Sequence, residues 1–209
     1  MSQTPRIGIT LGDPGGIGPE VVLKSLTQNQ DTVFNPIIFG SKSILTHPKL
    51  KPLADQLPAH VISEFQDIYP LNSFDIGCPS PANGAASLAY IKAAHEAASR
   101  HQIDAMVTAP ISKTSICLAN CEETGHTTLL QKLTNSPHVS MAFYTPTLKV
   151  VLATIHHPLR QVPELINEEC IKTAINNSFL FAQSLRFANP KIAVCGLNPH
   201  AGEDGLFGT

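Results

Sequence analysis

Two histidines each follow a short apolar stretch, and a segment of helical length separates the two stretches. Residues 149–155 read KVVLATI and precede His156, whereas residues 191–197 read KIAVCGL and lead to His200. Short runs of Val, Ile and Leu closed by Pro or Gly are typical of buried strands, and residues 167–187 carry a helical pattern. A strand–helix–strand unit places two parallel strands with their carboxyl ends at one sheet edge, where α/β proteins bind ligands. We therefore expect the two imidazoles to converge there on one divalent metal ion.

A simpler interpretation of these histidines stays open at this point. Catalytic zinc normally has three protein ligands, so two imidazoles form an incomplete site, and a lone histidine is more often an ordinary surface or core residue. His157 should point away from His156 if the strand geometry continues. Glu203 and Asp204 are candidate carboxylate ligands, although Glu203 would also suit the orientation of a ligand or the capping of a helix.

A second candidate site is the sequence Gly125-His126-Thr127, which precedes a predicted helix over residues 128–133. Backbone N–H groups and the helix dipole favour an anion such as phosphate or carboxylate at a helix N-terminus. The alternative is that Thr127 only caps the helix and His126 lies on the surface.

The glycine-rich segment 12–18 lies between a predicted strand and a predicted helix, so it could cradle a phosphate. It matches neither G-x-G-x-x-G nor G-x-x-x-x-G-K-[ST], which favours a tight structural turn containing Asp13. The five cysteines include no CxxC pair and are interpreted as reduced thiols. Cys117 and Cys121 could share a helix face near His126, as a zinc site would need, but the spacing is atypical.

The predicted elements that would position these residues alternate between strands and helices. Apolar runs bounded by Gly, Pro and polar residues predict strands at 6–11, 36–40, 60–65 and 103–109, and an antiparallel hairpin of 140–144 with 148–155. Helices are predicted at 19–26, 41–45 and 84–101, and a short helix begins at Lys113 with Ser112 as its cap. Residues 75–83 are a predicted linker. An α/β fold with a mixed sheet is therefore expected.

Composition narrows the class of protein. The 209 residues are 43% hydrophobic and 14% charged, which is typical of a globular chain. The net charge of −2 with no basic block gives no support to a nucleic-acid or anionic-membrane partner. A polar N-terminus and the lack of an apolar run of bilayer length predict a cytoplasmic location.

Five motifs occur in order along the chain and resemble one enzyme family, and the resemblance extends from residue 6 to the last residue. They are GDPGGIGPE (12–20), TAPISK (108–113), GHT (125–127), ATIH (153–156, followed by Pro158 and Leu159) and GLNPHAGE (196–203). Together they are similar to 4-hydroxythreonine-4-phosphate dehydrogenase of vitamin B6 biosynthesis. The resemblance implies the α/β/α fold of the isocitrate/isopropylmalate dehydrogenase group, with domains at 1–80 and 81–209, the first completed by a C-terminal segment that this chain lacks.

The resemblance also implies an activity and its site residues. The reaction is the NAD- or NADP-dependent oxidation of 4-phosphooxy-L-threonine to a 3-keto acid, which decarboxylates to 3-amino-2-oxopropyl phosphate on the way to pyridoxal 5′-phosphate. In this family His156 and His200 would bind one divalent metal (zinc, magnesium or cobalt), and His126 and Thr127 would bind the substrate. Lys113 is a further candidate for anion binding or proton transfer, against the default of a surface lysine. The family acts as a homodimer with its active site at the subunit interface.

Two departures from the family pattern leave alternatives open. Thr128 stands where the family commonly has Glu, and the chain stops at Thr209, before the third ligand histidine and much of the nucleotide site. We therefore expect this chain alone to be inactive. A dehydrogenase of 4-phospho-D-threonate or erythronate, and a non-catalytic fragment that binds metal or phosphate, are the alternatives.

Overall fold

The computed structural model describes residues 4–28 and 33–208, which form two compact units, Met1–Asn135 (unit 1) and Ser136–Thr209 (unit 2). Unit 1 is built on a sheet of four strands: β1 (Arg6–Thr10), β2 (Asn35–Gly40), β3 (Phe65–Asp67) and β4 (Ala105–Thr108). The strands lie in the order β3-β2-β1-β4, and all of them are parallel. Their carboxyl ends therefore share one edge of the sheet, which we call the carboxyl edge.

Seven helices accompany this sheet within the described part of unit 1. They are α1 (Gly18–Gln28), α2 (Ser43–Thr46), α3 (Lys51–Ala54), α4 (Ala59–Ser63), α5 (Pro81–Ser99), α6 (Lys113–Leu118) and α7 (His126–Thr134). Helix α5 crosses the core, where Ala86, Tyr90 and Ala94 are fully buried. Its alanines allow close approach to the sheet because they carry only one carbon beyond the backbone.

The start of α5 and the segment around residue 60 both differ from the sequence predictions. Helix α5 begins at Pro81, inside the predicted linker, because the Ser80 hydroxyl accepts a hydrogen bond from the Asn83 N–H (3.2 Å) and Pro suits the first turn. The strand predicted at 60–65 is wrong: these residues form α4 and only then enter β3. A short apolar run suits either element, and here Pro58 leads directly into a helical turn.

Unit 2 contains an antiparallel pair of strands and one long helix. Strands β5 (Ala142–Tyr144) and β6 (Lys149–Val151) pair in a separate two-stranded sheet, which confirms the hairpin with shorter strands. A turn of helix, α8 (Val162–Leu165), precedes α9 (Glu168–Ser184). The Asn167 side chain caps α9 by accepting from the Cys170 N–H at 2.9 Å.

The strand predicted at 191–197 is wrong. These residues, all of them within the described range, form no strand, and Val194 and Leu197 are 56% and 53% exposed. A strand exists only where a neighbour accepts and donates the backbone hydrogen bonds, and none is present beside this run in the described residues. The strand–helix–strand unit that was expected to bring His156 and His200 together is therefore absent.

The α/β class is confirmed, but within the described residues the parallel and antiparallel strands lie in two separate sheets rather than in the one mixed sheet expected from the sequence. Strand β4, which follows residue 80, belongs to the sheet of unit 1. The division into domains 1–80 and 81–209 stays a prediction. Across residues 4–28 and 33–208, no helix is both long and apolar enough to cross a membrane.

Candidate functional site

The glycine-rich loop after β1 lies at the carboxyl edge and is packed against the residues that follow β4. The Asp13 N–H donates to the Pro110 carbonyl at 3.0 Å, and Asp13 is 2% exposed. Gly12 has a φ of 70°, and a Cβ on it would lie 2.2 Å from the Pro110 oxygen. Glycine is required there because both the conformation and the space exclude a side chain.

Two amides of this loop are directed to Asp13 rather than outward. The Asp13 carboxylate accepts from the Gly15 N–H at 2.7 Å, and its carbonyl accepts from the Gly16 N–H at 2.9 Å. A phosphate cradle needs such N–H groups to be free. The structure therefore favours the interpretation of residues 12–18 as a tight structural turn.

The segment after β4 carries the TAPISK motif across the same edge. Ala109 is buried and donates its N–H to the Thr10 carbonyl at 3.1 Å, which continues the ladder beyond β4. The Ser112 hydroxyl accepts from the Ser115 N–H at 3.1 Å, which confirms Ser112 as the cap of α6. Lys113 is exposed in the first turn of this helix.

His126, the first residue of α7, is half-buried at the carboxyl edge beside Ala109. Burial lowers the pKa of its imidazole below the ordinary 6.5, and a hydrogen bond to the Ala109 backbone opposes the shift only in part. The Nε2 atom is buried, and no group among the described residues hydrogen-bonds it. This ring nitrogen is therefore open to a ligand, and in the neutral ring it can serve as a hydrogen-bond acceptor.

Thr127 is half-buried in the first turn of the same helix. Gly125, the residue before α7, has no side chain that could cap the helix. The first N–H groups of α7 therefore receive no capping oxygen from this position. His126 and Thr127 thus present an unpaired ring nitrogen, a hydroxyl and a helix N-terminus at one place. This arrangement suits an anionic ligand that also carries a hydrogen-bond donor.

His156 and His200 lie in unit 2 and are both exposed. Their φ angles of 59° and 54° are left-handed, an uncommon conformation for residues other than glycine. The His200 ring lies 5.8 Å from the ring of Phe207. Within residues 4–28 and 33–208, no group of three or more His, Cys, Asp or Glu side chains is arranged to hold a metal ion, so the ligand role of this pair stays a prediction.

The zinc interpretation of the cysteines finds no support among the described residues. The Cys121 thiol donates to the Glu123 carboxylate at 3.3 Å, and burial raises the pKa of that thiol. Cys117 is exposed, and all five cysteines are free. A protonated, hydrogen-bonded thiol is a poor metal ligand.

Sequence reasoning missed an ion pair beside the GHT motif. The Lys132 ammonium lies 2.6 Å from the Glu123 carboxylate, nine residues earlier in the chain. This spacing is not one of the helical pair distances, i to i+3 or i+4, so no periodic signal pointed to it. The contact joins the segment before α7 to the last turn of that helix.

The profile of one protein family, described as pyridoxal phosphate biosynthetic protein PdxA, matches residues 32–209. A curated relative from Desulforapulum autotrophicum, named 4-hydroxythreonine-4-phosphate dehydrogenase, is 36% identical over 98% of this chain and 65% of its own length. Another, from Pectobacterium atrosepticum, is named D-threonate 4-phosphate dehydrogenase and is 33% identical over 97% of this chain and 66% of its own. The chain thus spans just under two thirds of these relatives.

A solved structure agrees with these sequence matches. The crystal structure of a 4-hydroxythreonine-4-phosphate dehydrogenase from Klebsiella pneumoniae superposes with a TM-score of 0.85 at 30% identity, over 99% of this chain and 67% of that one. The isocitrate/isopropylmalate dehydrogenase-like α/β fold expected from the motifs is therefore confirmed. On the profile match and the full-length alignments together, this chain belongs to the PdxA family.

Proposed function

We propose that this protein is a dehydrogenase that oxidises 4-phosphooxy-L-threonine with NAD or NADP, in the route to pyridoxal 5′-phosphate. The observation that carries the proposal is the buried, unpartnered Nε2 of His126 at the carboxyl edge. An orphaned polar atom at this depth is costly unless a ligand or water pairs with it. Names of relatives in this family support the activity.

Each residue named at the carboxyl edge has its own proposed role in substrate binding. His126 Nε2 accepts a hydrogen bond from a hydroxyl, ammonium or protonated phosphate oxygen of the substrate, because the neutral ring offers a lone pair there. Thr127 and the open N–H groups of α7 bind an anionic oxygen, and the positive end of the helix dipole favours its charge. Lys113, exposed at the start of α6, is a candidate for a second anion contact.

The nicotinamide cofactor supplies the hydride acceptor when it is bound. The loop at 12–18 does not fit a dinucleotide, since the Gly15 and Gly16 amides bond to Asp13. We therefore assign no residue of that loop to the cofactor.

A divalent metal (zinc, cobalt or magnesium) is the second proposed cofactor, with His156 and His200 as its ligands. It would supply Lewis-acid polarisation of the substrate hydroxyl. No group of three or more candidate ligand side chains lies together among the described residues, so the two histidines would need a further ligand to hold the ion.

We expect His156→Ala and His200→Ala each to reduce the Zn²⁺ or Co²⁺ retained after dialysis to background. Each substitution removes one imidazole from a small ligand set, which leaves too few donors to hold the ion against dialysis. Metal content is measured by atomic absorption, and His157→Ala is the matched control, an exposed neighbouring imidazole. Unchanged metal content in the first two variants would remove both residues from the ligand set.

The second candidate function is the oxidation of 4-phospho-D-threonate or 4-phospho-D-erythronate. Relatives named D-threonate 4-phosphate dehydrogenase, at 33% identity and comparable coverage, favour it. NADH formation by the full-length protein, with metal and each of the three substrates, separates the two functions. We expect oxidation of 4-phosphooxy-L-threonine to be fastest. Preference for a phospho-sugar acid selects the second candidate, and no oxidation of any of the three rejects both in favour of a non-catalytic protein that binds metal or phosphate.

The proposed partner is a second copy of this chain. Unit 2 contributes no side chain to the buried apolar core of the described residues, and many of its large apolar side chains are more than a third exposed: Val139, Phe143, Tyr144, Leu148, Leu159, Ile175, Phe179, Leu180, Phe187, Ile192, Val194, Leu197, Leu206 and Phe207. Apolar surface on this scale is typical of an interface rather than of a solvated face. A homodimer would cover part of it.

A further inference from the structure

The carboxylate of Glu123 joins the loop before α7 to the body of that helix. It accepts from the Lys132 ammonium at 2.6 Å and from the Cys121 thiol at 3.3 Å. The Glu123 side chain is only 15% exposed, although Lys132 is 65% exposed. The Lys132 contact lowers the pKa of Glu123, so the carboxylate is charged at neutral pH.

Helix α7 is attached to unit 1 through one small apolar cluster. Leu129, its one buried residue among those described, packs there with Leu88, Ile91 and Ile116, and Leu130 and Leu133 of α7 pack against the same cluster. No side chain caps the start of the helix at Gly125. The apolar contacts therefore hold the body of the helix, whereas its first turn depends on other contacts.

The ion pair supplies a second attachment, between the segment before α7 and the last turn of the helix. Lys132 lies six residues beyond His126, which corresponds to about 9 Å along the helix axis. Glu123 lies two residues before Gly125, so the pair closes a loop that contains the start of α7. Closing this loop restrains the segment from which His126 and Thr127 enter the helix.

There is space for α7 to move if this attachment is lost. A cavity of about 360 Å³ borders the helix and is lined by Leu88, Lys92, Asn120, Glu123, Lys132 and Leu133. Packed side chains resist displacement, whereas an adjoining cavity permits it. The orientation of α7 therefore depends on the ion pair as well as on Leu129.

We propose that Glu123 is a positioning residue for substrate binding: through Lys132 it holds the N-terminus of α7, and with it His126 and Thr127, in the binding orientation. The proposal rests on the substrate role given to His126 and Thr127 above. Glu123 itself need not touch the substrate.

The test compares Glu123→Gln and Lys132→Met with the control Glu64→Gln, which makes the same charge change at an exposed residue that follows α4 in the same unit. A charge-swapped double variant, Glu123→Lys with Lys132→Glu, restores the pair in reverse. Two quantities are measured: the imidazole NMR resonances of His126, and the affinity for 4-phosphooxy-L-threonine by calorimetry. Thermal unfolding confirms that each variant is folded, and Lys132→Met keeps the test decisive if Glu123→Gln does not fold.

We expect the two disrupting variants to shift the His126 resonances and to weaken affinity about three- to tenfold, as loss of one positioning contact does. The control should change neither, and the charge swap should recover most of both. His126 resonances that stay at their wild-type positions in folded Lys132→Met would overturn the proposal. If the wild-type protein fails to bind the substrate, the proposed function is wrong, whereas the His126 resonances still decide the role of Glu123.

Discussion

Replacing Gly84 by alanine is expected to lower the free energy of unfolding by about 2 kcal/mol. A Cβ at this position of α5 would lie 1.9 Å from the carbonyl oxygen of Ser115 and 2.4 Å from its carbon. Both are backbone atoms of α6, so relief requires the two helices to separate. Overpacking against backbone atoms lies at the upper end of the usual range and costs about 3 kcal/mol, against about 1 kcal/mol gained from the better helix propensity of alanine.

Chemical denaturation measures this effect, and Gly125→Ala is its control. A Cβ on Gly125 meets nothing within 4 Å, and its φ of 166° is ordinary extended backbone. The control should therefore change the free energy of unfolding by only about 0.5 kcal/mol. If Gly84→Ala is as stable as wild type, the close contact of α5 with α6, and with it the placement of Ser112 and Lys113, is incorrect.

Replacing His126 by alanine is expected to weaken binding of 4-phosphooxy-L-threonine by about 10- to 100-fold. The variant removes the Nε2 acceptor, and a hydrogen bond to a charged group contributes roughly 1.5–3 kcal/mol. Calorimetric titration measures the affinity, with His60→Ala as the control because that histidine is exposed on α4 of the same unit. Equal affinity of folded His126→Ala and wild type would exclude His126 from the site.

The lowered pKa of His126 also gives a pH dependence with a definite sign. The unfolded chain takes up a proton on this ring near the ordinary pKa of 6.5, whereas the folded chain does so only at lower pH. The contribution of His126 to stability is therefore complete above pH 6.5 and is lost as the pH falls through the interval below it. His126→Gln should remove this contribution from the pH–stability profile of the chain.

Elements with a long periodic pattern or a capping residue were predictable from the sequence. The amphipathic run before Ser184 and the cap at Ser112 each specify local structure through contacts within a few residues. The short apolar runs at 60–65 and 191–197 carried no such information. Whether such a run becomes a strand depends on pairing with a strand that is distant in sequence. Residues 60–63 form part of α4 instead, and residues 191–197 pair with no strand among the described residues.

The sequence predicts which residues belong to the candidate site better than it predicts how they are arranged. The GHT and TAPISK motifs identified His126, Thr127 and Lys113, but the contact of His126 with Ala109 follows only from the position of α7 beside β4. The roles of His156 and His200 as a pair were inferred from two parallel strands that do not form. Motif chemistry is local in sequence, whereas convergence of side chains is a property of the fold.

All the proposed roles depend on substrate binding at the carboxyl edge of the four-stranded sheet, at the start of α7. A titration of the isotope-labelled protein with 4-phosphooxy-L-threonine, followed through backbone and imidazole NMR shifts, tests this binding directly. The largest shifts are expected at residues 108–113 and 125–127, including the His126 ring. Unchanged resonances in both segments at saturating substrate, or no binding at all, would show that the substrate does not bind there.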